Sequence, residues 1–169
     1  MAYPMAEASQ TDELFEASRV LLVDDQPEVR RVVRRNLVRA GYVVVEAWNA
    51  RVAVELARDM TFDLVISDLR MPDMSGVELL KALHEHDPDL PVVLTSGSPD
   101  PLTTAEARAL GVFAYLAKPV PFDIMCETAS RAVEQRRASY ASREQFEPCA
   151  SGERLRVAPR EDGEDDDAG

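Results

Sequence analysis

Cysteine is nearly absent from this chain: only Cys126 and Cys149 occur in 169 residues. Neither has a neighbour at the spacing of a metal site or disulfide framework, which excludes a stapled scaffold and points to a reducing compartment. Long apolar runs are also missing. No window approaches the roughly 18 residues that a membrane span requires, and no basic segment leads into an apolar run at the start, as a secretory signal would. Together these absences predict a soluble, cytoplasmic protein with no membrane partner. Positive charge is in deficit as well, with 19 Lys and Arg against 31 Asp and Glu, a net charge of -12 and a pI near 4.6. A field of that sign repels polyanions, so direct nucleic-acid binding is not expected. The only two histidines, His84 and His86, stand two residues apart and so do not share a helix face, which predicts solvated side chains rather than a metal pair.

What the chain does contain is enough for one core: 46% of its residues are hydrophobic. Residues 1–17 mix small, polar and acidic side chains without sustained period and are expected to form a flexible extension. The other end, 139–169, closes in REDGEDDDAG and is expected to be a disordered acidic tail, solubilising or, less simply, a docking segment. Between them, a domain at 18–138 alternates short apolar runs (VLLV, YVVVEA, FDLVIS, PVVLTS, FAYLA) with segments of helical period. Five such strand-helix units predict an α/β fold, a five-stranded parallel sheet with helices on both faces. The continuous Val, Ile and Leu content predicts strands buried on both sides. Helices are expected at Pro27 to Gly41, Asn49 to Asp59, Gly76 to Glu85, Pro101 to Leu110, and Pro121 to about Arg137. In the first, Val29, Val32, Val33 and Leu37 mark the inner face, with Arg30, Arg31, Arg34, Arg35 and Arg39 on the other side.

In open parallel sheets, ligands sit beyond the carboxyl ends of the strands. Those ends carry Asp24 and Asp25, then Asp68, Ser96 and Lys118. The adjacent aspartates after VLLV pose an electrostatic problem, because like charges in a shared pocket cannot all stay ionised unless a cation neutralises them. Mg²⁺, a hard ion that prefers oxygen ligands, suits three carboxylates. A lysine and a hydroxyl beside them suit phosphoryl oxygens.

The segments LLVDDQP, ISDLRMPDMSGVELL, PVVLTSG and GVFAYLAKPV, in this order and spacing over about 120 residues, resemble the receiver domain of bacterial two-component response regulators, as in chemotaxis. The resemblance implies a flavodoxin-like strand order of 2-1-3-4-5. It also implies a phosphoprotein of signal transduction, a stand-alone response regulator rather than an enzyme, at most dephosphorylating itself slowly. Asp68 would accept a phosphoryl group from a sensor histidine kinase or phosphotransfer protein. Asp25 would be the direct Mg²⁺ ligand, Asp24 would act through water, and the backbone carbonyl of Arg70 would complete the ligand set. Ser96 would follow the phosphoryl group, Tyr115 would change rotamer with it, and Lys118 would contact its oxygens, followed by a cis bond to Pro119. A downstream protein target is implied, and the face of the fourth helix, fifth strand and fifth helix also suits a homodimer.

Plainer readings stand beside each assignment. One of Asp24 and Asp25 could simply cap the following helix, Asp68 could be a turn residue, and Lys118 a solvated one. Thr95 competes with Ser96, although strand alternation and Gly97 favour Ser96, and Tyr115 could be plain packing. Arg70 and Ser98 could tune dephosphorylation through water access, although the Arg70 side chain could be merely exposed, while Met71 and Met125 read as filler. Two other functions compete: a scaffold that binds without phosphorylation, and a Mg²⁺-dependent phosphatase. The phosphatase would need a DxDx[TV] nucleophile pattern, and DDQPE lacks it.

Overall fold

A computed structural model describes residues 17–144; all but the last residue of the flexible extension and most of the acidic tail expected above lie outside them. Five strands, β1 (Arg19–Val23), β2 (Val43–Ala47), β3 (Leu64–Asp68), β4 (Val92–Ser96) and β5 (Ala114–Ala117), alternate with α1 (Pro27–Arg39), α2 (Ala50–Asp59), α3 (Gly76–His86), α4 (Pro101–Ala109) and α5 (Phe122–Glu144). The sheet is wholly parallel in the order β2-β1-β3-β4-β5, as the resemblance implied. The order reverses around β1, so the crevice opens at the carboxyl ends of β1 and β3.

Strand alternation divides the core into two layers. Leu21, Val23, Val65, Val92 and Leu94 face one way and pack with Ala53, Leu79, Leu80 and Leu83 of α2 and α3. Val20, Leu22, Leu64, Ile66 and Val93 face the other way, onto Leu37 of α1 and Met125, Ala129, Ala132 and Val133 of α5. Met125 is thus core filler, as expected. The three central strands are buried almost throughout, but β2 and β5 are not, and Val43 is 47% exposed. Each outer strand has a neighbour on one side only, so burial on both faces holds for the interior of the sheet alone.

Pro27 opens α1 and Gly41 follows it at φ 95°, a conformation that favours glycine. The helix departs from its expected faces in two places. Val32 is 49% exposed, while the Arg30 side chain, assigned to the outer face, is turned inward and only 16% exposed. The helices α2 and α3 have side-chain caps in Asn49 and Ser75, the latter with Glu78 in a reciprocal capping box.

Two further expectations are corrected. His84 is not solvated: its Nδ1 lies 3.2 Å from the carbonyl of Leu110 and its Nε2 2.9 Å from that of Leu90, so the ring joins the end of α3 to β4 and α4. His86 is exposed, as expected. The helix α5 continues to Glu144, beyond Arg137, so the first residues assigned to the tail, 139–144, are helical. Its second half is held to the α3–β4 connection. Arg136, 1% exposed, pairs with Asp87 and lies with its guanidinium carbon 4.4 Å from the centre of the Tyr140 ring, and Arg143 pairs with Asp89.

Candidate phosphoryl and metal site

The apolar cores of β1 and β3 run directly into the crevice, so each strand delivers a carboxylate from a buried backbone. Asp24 is 3% exposed and Asp68 is 8% exposed, while Asp25 is the more open of the adjacent pair. One carboxylate oxygen from each of Asp24, Asp25 and Asp68 lies within 4.8 Å of those of the other two. From the end of β5, the Lys118 ammonium donates to Asp24 Oδ2 at 3.0 Å and pairs with Asp68 Oδ1 at 3.2 Å. The peptide bond from Lys118 to Pro119 is cis.

Burial, the larger effect, pushes the Asp68 carboxyl above the ordinary aspartate range against the attraction of Lys118, and the charge of Asp24 adds to the rise. Burial alone would lower the Lys118 ammonium, but the hydrogen bond and charge of Asp24, followed by those of Asp68, hold it above its usual value. Three carboxylates against one ammonium leave negative charge uncompensated, and all the donors are hard oxygens. The residues therefore fit a divalent cation such as Mg²⁺.

Asp24 does not cap α1. The helix starts from Gln26, which makes no side-chain cap, and Asp24 Oδ1 instead accepts from the Gln26 amide at 2.9 Å in a tight turn. Asp25 has no hydrogen-bond or ion-pair partner among the described residues, which leaves its carboxylate available. Arg70 is exposed two residues beyond Asp68, and its carbonyl accepts no hydrogen bond among the described residues.

Ser96 is 1% exposed and joins the site through its backbone, accepting the Lys118 amide at 2.7 Å. Its hydroxyl accepts from the Ser98 amide at 3.2 Å rather than meeting Asp68. The competing Thr95 hydroxyl donates to the Ser67 carbonyl at 3.3 Å, which leaves it a structural role within the sheet. Tyr115, partly buried on β5, has a buried hydroxyl without a partner.

Three supporting residues escaped the reading of the motifs. Arg30 donates to the Asp24 carbonyl at 2.7 Å, from a helix position read as solvent-facing. Asp73 accepts from the Arg51 amide at 3.0 Å and ties the loop after Asp68 to the start of α2. Gly76 packs so closely that an added Cβ would lie 2.8 Å from the Asp68 carbonyl oxygen, a constraint implicit in the SG of MPDMSG.

Comparison with known proteins extends the geometry. The profile described as "Response regulator receiver domain" matches residues 20–130. The C4-dicarboxylate transport transcriptional regulatory protein DctD of Pseudomonas aeruginosa is 40% identical over 121 residues, covering 71% of this chain and 26% of that protein. Regulatory protein AtoC of Escherichia coli is 34% identical over 117 residues, 69% of this chain and 25% of its own length. The chain thus spans about a quarter of the length of these relatives. Among solved structures, the chemotaxis protein CheY4 of Vibrio cholerae is similar at a TM-score of 0.66 and 32% identity, covering 69% of this chain and 98% of that one. FixJ-N gives a TM-score of 0.65 at 32% identity, over 70% and 95% of the respective chains.

Proposed function

Because this chain belongs to the response regulator receiver domain family, we propose that Asp68 accepts a phosphoryl group from the histidine of a sensor kinase or phosphotransfer protein, and that the domain then changes the face it offers a target. The observation that carries this reading is the Lys118 ammonium set between Asp24 and Asp68, beside the open carboxylate of Asp25.

In the transfer, an oxygen of the Asp68 carboxylate attacks phosphorus as the bond to the donor histidine nitrogen breaks, and that nitrogen keeps the bonding electrons. The transition state is loose, with its charge on the equatorial oxygens, so the chain's task is to position and neutralise. Lys118 releases one carboxylate contact and takes a phosphoryl oxygen. When held by Asp24, Asp25, Asp68 and the Arg70 carbonyl, Mg²⁺ supplies the rest of the charge neutralisation. The Ser96 hydroxyl, now only an acceptor, has its proton free to donate to the phosphoryl group. Movement of Ser96 opens space beside it, and the unpartnered hydroxyl of Tyr115 favours a change of rotamer, since a buried orphan group is costly. The two residues lie on neighbouring strands in the register Leu94↔Tyr115 and Ser96↔Ala117, next to α4, whose Leu102 is 83% exposed. That face is where we place the protein target or a second copy of the chain. Protein rather than nucleic acid is the partner favoured by the net charge of -12 on the whole chain.

The test is amide NMR with Mg²⁺ and beryllofluoride, a phosphoryl mimic. We expect shifts at Asp68, Ser96, Lys118 and Tyr115 that extend into α4. A spectrum unchanged at Ser96 and Tyr115 would instead support a scaffold that works without phosphorylation.

A further inference from the structure

Asp24 is held from four directions. Its amide donates to the Ala47 carbonyl at 3.2 Å, its Oδ1 accepts from Gln26, and its Oδ2 accepts from Lys118. The fourth contact is from a charged side chain: Arg30 Nη1 reaches back from α1 and donates to the Asp24 carbonyl at 2.7 Å. Arg30 forms an ion pair with Glu46, its Nε 3.5 Å from Oε1 and without a hydrogen bond among the described residues, while Arg34 Nε faces Glu46 Oε2 at 3.4 Å. Glu46 lies on β2 in register with Leu22, two residues before Asp24. A charged relay therefore runs from the β2 surface to the backbone between the two aspartates.

The Asp24 carbonyl belongs to the planar peptide unit that joins Asp24 to Asp25. Fixing that oxygen fixes the plane, and with it the direction from which Asp25 leaves the chain. Every polar group of Asp24 is thereby committed, whereas the Asp25 carboxylate has no partner among the described residues. A cationic guanidinium beside a site that collects cations is unfavourable on charge alone, and its pairing with Glu46 offsets that charge. We propose that Arg30 is a positioning residue for the divalent-cation site, orienting the Asp24–Asp25 peptide so that Asp25 faces the ion, with Glu46 and Arg34 holding Arg30 in place. This inference rests on the reading of the carboxylate cluster as a Mg²⁺ site.

Charge and geometry predict opposite outcomes, which makes the test decisive. Arg30→Met removes a positive charge, so a purely electrostatic role would tighten Mg²⁺ binding; a positioning role weakens it. Calorimetric titration of the full chain with MgCl₂ alone, without a phosphoryl donor, measures this directly, and thermal melting reports the fold. For Arg30→Met we expect a dissociation constant about 10-fold higher than in the unsubstituted protein, as for other residues that orient metal ligands. Arg30→Lys, which keeps the charge and one donor, should recover part of the loss, and Glu46→Gln should weaken binding in the same direction but less. A folded Arg30→Met that binds Mg²⁺ as tightly as the unsubstituted protein, or more tightly, overturns the proposal. If Arg30→Met does not fold, an unchanged affinity in Glu46→Gln overturns it. Failure of the parent reading looks different: the unsubstituted protein would bind no Mg²⁺, or Asp25→Asn would bind it equally well.

Discussion

Asp68 stands in the folded chain with its carboxyl raised by burial, so the folded state holds this proton more tightly than the unfolded state does. Its contribution therefore favours folding in acid and is lost as the pH climbs from the ordinary carboxylate range through the raised folded value. Asp68→Asn removes that loss while Asp24 still pairs with Lys118. Without metal at neutral pH, the variant should melt a few degrees above the unsubstituted protein, and the gap should close on acidification. A variant that melts lower at neutral pH would mean that the Lys118 pair outweighs the burial. At this scale the sequence disclosed the residues that meet in the crevice, because a parallel sheet presents them at strand ends. It did not disclose Arg30 or His84: both sit on polar helix faces, and each acts on a backbone carbonyl outside its own helix, which side-chain patterning does not register.

Among the elements, the loop from Asp68 into α3 is tightly packed at Gly76. The Gly76 amide donates to the Leu69 carbonyl at 2.8 Å, and a Cβ there would also lie 3.0 Å from Leu69 Cα and from Leu94 Cδ2. Gly76→Ala should cost about 1–3 kcal/mol, the usual range for overpacking, and should slow phosphorylation by displacing Asp68; melting and the rate with a small-molecule donor check both. The second half of α5 is held differently. Against burial, which alone would raise it, Arg136 holds the Asp87 carboxyl below the usual aspartate range. A depressed carboxyl stabilises the fold above its unfolded value, and that stability is lost as the pH falls through the folded one. Arg136→Met should cost about 2 kcal/mol, less than the 3–5 expected for a wholly buried pair, because the Asp87 side chain remains 30% exposed. Chemical denaturation should show the cost near neutral pH and its decline in acid. These contacts also explain why α5 outruns its sequence pattern: past Arg137, ASYASRE offers little apolar period, and the described helix continues beside Asp87 and Asp89, far away in sequence.

For the molecule as a whole, the strand order came only with the resemblance and is the one observed, whereas element order was legible because apolar runs alternate with segments of helical period. The exposure of the edge strands was not, since it depends on which strand ends up outermost. The same topology brings groups from the ends of β1, β3 and β5, far apart in the chain, into one crevice, where the proposed phosphorylation needs them together. Intact-mass spectrometry after exposure to acetyl phosphate measures that most directly, with and without Mg²⁺ and beside Asp68→Asn. A single phosphoryl adduct that requires both Mg²⁺ and Asp68 is the predicted result; no adduct on the unsubstituted protein, or an equal one on Asp68→Asn, would contradict it.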